Sequence, residues 1–132
     1  MTRDDEQRIG AILGAFDGVE AVYLFGSHVD GNARPDSDID LAIVPGDESV
    51  RDHRLQMLTA VTRSGFDKID LVFLDGRDLV LQFHAVRRNR PIYASASFNH
   101  PAYFSRTISL YEDLRPLLRI QQQAYKRQVL DG

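Results

Sequence analysis

The chain holds 132 residues, 43% of them apolar and 27% charged, with a formal net charge of -3 and no cysteine; the length predicts one domain and the composition an ordinary globular protein. A slightly acidic balance gives no general attraction for nucleic acid, so a phosphate-bearing ligand would have to be held by a local site or by a metal. No stretch approaches the roughly eighteen continuous apolar residues of a membrane span, and "MTRDDEQRIG" lacks the apolar segment of a secretory signal, so the expected compartment is the cytoplasm.

Thr2 and Asp5 have the spacing of a capping box, and Ile9, Ile12, Leu13 and Phe16 recur at helical spacing until Asp17-Gly18. "VEAVYLF" is a short β-branched and aromatic run closed by Gly26, and "DIDLAIV" is a second strand ended by Pro45-Gly46. Val50, Leu55, Leu58 and Val61 outline a helix from Ser49 to about Ser64, with Asp52 near its start and Gly65 at its end. "KIDLVFL" is a third strand, Asp78 caps a helix carrying Leu79, Phe83 and Val86, and "PIYA" is a fourth, shorter strand. Asn99 and Pro101 open a helical pattern to about Leu130, with a stripe of Phe104, Ile108, Tyr111, Leu114 and Leu118. Pro116 predicts a kink there, and "QQQAYKRQVL" holds too few apolar residues to pack fully. Helices alternating with nearly continuous apolar strands place the chain in the α/β class, with at least one face of the sheet covered.

The chemistry gathers in "GSHVDGNARPDSDID", Gly26 to Asp40. Alternate residues of a strand face one side, so Asp38 and Asp40 point together, and Asp70 interrupts the third strand in the same way. Clustered carboxylates repel one another unless a cation lies between them, and hard divalent ions such as Mg²⁺ take oxygen ligands from protein and from substrate phosphates. Three strand carboxylates at one sheet edge therefore suggest a two-metal phosphoryl-transfer centre. Gly26-Ser27 supplies the other half: glycine permits close backbone approach, and free N–H groups of a turn, with the Ser27 hydroxyl, donate to phosphate oxygens.

Other readings carry less. Asp36, Asp38 and Asp40 match the start of an EF-hand loop, but its sixth position is Leu41 instead of Gly and its twelfth is Asp47 instead of Glu. There is no P-loop and no G-x-G-x-x-G. Asp36 and Ser37 read as turn or cap residues, and His28 as a surface residue beside the turn. His53, His84 and His100 lack metal-ligand spacing, while Arg87, Arg88 and Arg90 suit a helix C-terminus. Lys126 and Arg127 read as a solvated face.

Gly26-Ser27, ten intervening residues, Asp38-x-Asp40 and a third carboxylate at Asp70 resemble the signature of the DNA polymerase β-like nucleotidyltransferase superfamily. The length and the tail around "RTISLYEDLRPLL" are similar to the minimal nucleotidyltransferase (MNT) group, specifically the MntA-like antitoxins paired with HEPN-domain toxins. The resemblance implies a small mixed β-sheet with helices mainly on one face, in one domain spanning 1–132. It also implies ATP with Mg²⁺ as substrate and cofactor, and AMP transferred to a tyrosine hydroxyl of the HEPN partner. By position, Asp38 and Asp40 would bind both metals, Asp70 would bind the catalytic one and help activate the acceptor, and Gly26 and Ser27 would hold the β- and γ-phosphates. A non-catalytic antitoxin that acts by binding, and a small-molecule nucleotidyltransferase of the aminoglycoside type, are the rival readings. A separate helical partner is expected to complete the acceptor pocket.

Overall fold

The computed structural model describes residues 1–31 and 37–131. Helix α1 (Arg3–Gly14) starts on the expected capping box, Thr2 and Asp5 each accepting the other's backbone N–H. Strand β1 (Val19–Phe25) leads into a short helix α2 (Ser27–Asp30), and β2 (Ile39–Pro45) returns beside β1. The helix expected from Ser49 instead has two parts, a 3₁₀ helix (Glu48–His53) and α3 (Arg54–Arg63). Its cap is Asp47, whose Oδ1 accepts the Ser49 N–H at 2.8 Å. The division has a packing reason, because the tighter 3₁₀ turn carries Val50 into the core where it is fully buried.

Strand β3 (Ile69–Phe73), helix α4 (Leu79–Val86) with its Asp78 cap, and β4 (Pro91–Ala94) follow as expected. Helix α5 (His100–Asp131) runs unbroken past Pro116. Its turns near Pro116 are exposed, so the carbonyl that loses its partner can be hydrated and the helix need not end there.

The four strands form one mixed sheet in the order β3-β2-β1-β4, with β1 antiparallel to both neighbours and β2 parallel to β3. On one face Val22, Leu24, Leu41, Ile43, Leu71 and Phe73 pack against Ile9 and Leu13 of α1 and Met57 and Val61 of α3. Helix α1 lies so close to β4 that a Cβ on Gly10 would overlap the Ile92 carbonyl oxygen. On the other face Ala21, Tyr23, Ala42, Val44 and Leu74 meet Ala85 and Val86 of α4, with Tyr103 and Phe104 of α5 packed beside them. Helices α1 and α3 thus underlie one face, while α4 and the first turns of α5 cover only part of the other. The uncovered part is the end where Asp70 is exposed and Asp40 half-buried. Among the described residues no helix is long and apolar enough to cross a membrane.

Candidate active site

Three chain segments meet at this open end. Phe25, the last residue of β1, pairs with Asp40, and Asp40 pairs in turn with Asp70 across the parallel β2–β3 ladder. Register partners on adjacent strands point to the same side and lie about 5 Å apart, so Asp40 and Asp70 share a face. The ladder is set one residue earlier, where the Ile39 N–H donates to the Lys68 carbonyl at 2.8 Å. Lys68 turns the chain into β3 with φ 54°, a left-handed conformation uncommon outside glycine. Asp38 lies just before β2 and is exposed.

Gly26 shows why glycine stands between β1 and the serine. Its φ is +76°, and a Cβ there would overlap Oδ2 of Asp40. The turn backbone and the carboxylate therefore touch directly, in a conformation and a space that L side chains do not fit. The Val29 N–H closes the turn on the Gly26 carbonyl at 3.1 Å, and Val29 anchors α2 against the core. Ser27 begins that helix, so its backbone follows immediately on the Asp40 contact.

Burial pushes the Asp40 carboxyl above its ordinary range, and the facing Asp70 and Asp38 carboxylates push it further, with the His28 imidazole pulling the other way. The fold thus brings together the three acidic residues expected from the sequence. It leaves them as an open set: among the described residues no three acidic, histidine or cysteine side chains are gathered tightly enough to hold a metal ion unaided. That arrangement fits Mg²⁺, which keeps waters and completes its octahedron with substrate phosphates. It also fits a cation electrostatically, since a divalent ion removes the repulsion that raises Asp40.

His28 corrects the sequence reading. It is half-buried instead of lying on the surface, and among the described residues its Nε2 is buried without a hydrogen-bond partner. The available signal was its place two residues after Gly26 in a turn that must fold back onto a carboxylate. Asp36, read as a turn residue and as part of the rejected EF-hand pattern, lies outside the described residues. Arg90 pairs with Glu6 at 2.6 Å, and the other histidines sit in packing contacts, His53 near Phe16, His84 against Phe83 and His100 beside Asn89.

The family model described as polymerase beta, nucleotidyltransferase matches residues 7–97, which contain Gly26, Ser27, Asp38, Asp40 and Asp70. The chain therefore belongs to the polymerase beta nucleotidyltransferase family. Among curated proteins nothing matches. Among solved structures, one of a toxin-antitoxin with AMP-PNP is similar at 21% identity and TM-score 0.69, covering 98% of this chain and 99% of that one. A Shewanella oneidensis structure, a tri-AMPylated HEPN toxin in complex with MNT antitoxin, gives 22% identity and TM-score 0.67 with the same coverage. A mutant MntA-HpeT toxin-antitoxin gives 25% identity and TM-score 0.70, covering 95% of this chain and 97% of that one.

Proposed function

We propose that the chain is a single minimal nucleotidyltransferase domain that transfers AMP from ATP to a tyrosine hydroxyl of a HEPN toxin, and so acts in the cytoplasm as its antitoxin. The observation that carries this reading is the direct contact of the Gly26 turn with Asp40, itself in register with Asp70. One polar edge thereby offers phosphate donors and metal-binding carboxylates side by side. The similar structures supply the acceptor class, since one contains AMP-PNP and another an AMPylated HEPN toxin.

In this mechanism the backbone at Gly26 and the Ser27 residue hold the β- and γ-phosphates, and Asp38 and Asp40 would hold the Mg²⁺ ions. Mg²⁺, when bound, neutralises phosphate charge and stabilises the attacking and leaving oxygens. Asp70, across β2 from the turn, would help hold the catalytic metal and helps activate the acceptor hydroxyl by taking its proton. The tyrosine oxygen forms a bond to the α-phosphorus as the bond from that phosphorus to the bridging oxygen breaks, and pyrophosphate leaves. The uncovered end of the sheet admits the acceptor from a second protein.

Intact-mass spectrometry of the co-purified HEPN partner after incubation with MgATP tests the proposal. An AMP-sized gain that disappears with Asp38→Asn/Asp40→Asn is expected. An unmodified partner with ATP unconsumed would demote the chain to an antitoxin that acts by binding alone.

A further inference from the structure

Beyond residue 109 the last helix carries a second feature that the nucleotidyltransferase site does not use. Tyr103, Thr107, Leu110, Leu114, Leu117, Gln121, Ala124 and Gln128 alternate at spacings of four and three, the seam of a heptad repeat. The first part of the seam is satisfied inside the molecule. Thr107 is fully buried and accepts from Gln82 of α4 at 2.8 Å, and the Tyr111 ring stacks on Phe83 with centroids 3.8 Å apart. Helix α4 runs antiparallel to α5, with Asn89 beside His100 and Phe83 against Tyr111, so its first residue, Leu79, marks the outer limit of its cover and the seam continues beyond it. Leu110 is 43% exposed, Leu117 57%, Ile120 61% and Tyr125 68%. Glu112 and Arg115 pair on the outward side of the helix, and Pro116 also lies away from the seam.

We propose that this projecting half of α5 pairs with the same segment of a second copy as an antiparallel two-helix coil centred near Arg119. The sequence is self-complementary in that register. Leu117 meets Gln121 of the second copy, Leu114 meets Ala124 and Leu110 meets Gln128, so each leucine enters a layer opposite a smaller or flexible residue. One flank joins Asp113 of each copy to Arg127 of the other, with the two Ile120 side chains between these pairs. The opposite flank joins the two Leu118 side chains and lays Tyr125 beside the Phe83–Tyr111 stack of the other copy. In antiparallel coils these flanking positions face their own kind across the interface, which is what the Asp113 and Arg127 placement requires. A parallel pairing would set Asp113 against Leu118 and offer Arg127 no acid. A two-fold contact of this kind closes on itself and covers both seams at once. The paired stretch from Leu110 to Gln128 is about 28 Å long.

Sedimentation equilibrium of the isolated chain, with circular dichroism to confirm that each variant is folded, tests the proposal. The unaltered chain is expected to dimerise reversibly. Asp113→Arg or Arg127→Asp alone places like charges in both pairs of that flank and should weaken the dimer by about tenfold or more. The double variant Asp113→Arg/Arg127→Asp should restore it to within about threefold, because the swap re-forms both pairs in the antiparallel register. A monomer at all concentrations, as expected if another protein occupies the seam, would overturn the proposal. So would a dimer indifferent to the single changes, or a double variant as weak as the singles.

Discussion

Along one face of the sheet, Leu24, Leu41 and Leu71 carry an unbroken apolar layer to the ends of their strands, while on the other face the same strands present Phe25, Asp40 and Asp70 at that end. The first face is closed by two helices, and its residues are almost wholly removed from water. On β2 and β3 the second is apolar only from Ala42 and Val72 onward, where Phe25 of β1 also packs against it. One set of strands thus supplies both a support and a site. The site lies where the apolar alternation is broken and the helices stop, so its charges can meet a ligand instead of being buried without partners.

The difference can be broken most severely at Asp40. Asp40→Asn should lower AMP transfer by about a thousandfold, equivalent to several kcal/mol of transition-state stabilisation, in an assay of the modified partner. The same change should raise the thermal midpoint of the metal-free chain, since it removes one of three mutually repelling carboxylates. The sign follows from the raised Asp40 carboxyl: ionising it in the folded state opposes folding, so its favourable contribution is present at low pH and is lost as pH rises through its folded value. The advantage of the variant should therefore be largest near neutrality and shrink on acidification. An Asn variant less stable than the parent at pH 7 would contradict the crowding of charge seen here.

On the supporting face, Leu41→Ala should cost about 2–5 kcal/mol in denaturant unfolding, because Leu41 is fully buried between the helices and the neighbouring strands. Gly26→Ala lies at the junction of the two behaviours. It should cost about 1–2 kcal/mol from its positive φ alone, and more from the overlap with Asp40. Combining it with Asp40→Ala should recover the overlap part but not the backbone part, a coupling that a double-mutant cycle reads directly. The smallest effect is expected at Tyr23, whose ring is fully buried against Tyr103 and whose hydroxyl has no hydrogen-bond partner among the described residues. Burial pushes the Tyr23 hydroxyl well above its ordinary range and that of Tyr103 up to about 12, so both stay neutral at physiological pH. Tyr23→Phe should then be neutral or stabilise by about 1 kcal/mol.

Much of this molecule can be read without coordinates. The capping box at Thr2, the strand over 19–25, the Asp78 cap and the long last helix follow from spacings within a few residues, which are local and therefore visible in sequence. The readings that changed share another cause. The helix after Asp47 divided because Val50 had to reach a core assembled from distant segments, and His28 became half-buried because its turn folds onto a strand ten residues further on.

By itself the sequence determined that Gly26, Ser27, Asp38 and Asp40 stand at fixed chain distances from the end of one strand to the start of the next. Chain geometry sets such spacings whatever the rest of the molecule does. Only the tertiary structure decided that Asp70 aligns with Asp40, that the Asp40 carboxylate rests on the Gly26 backbone, and that α4 stops short of the outer seam of α5. Those are pairings between segments far apart in the chain. They are fixed by which apolar faces can be buried together, and no local pattern contains that choice.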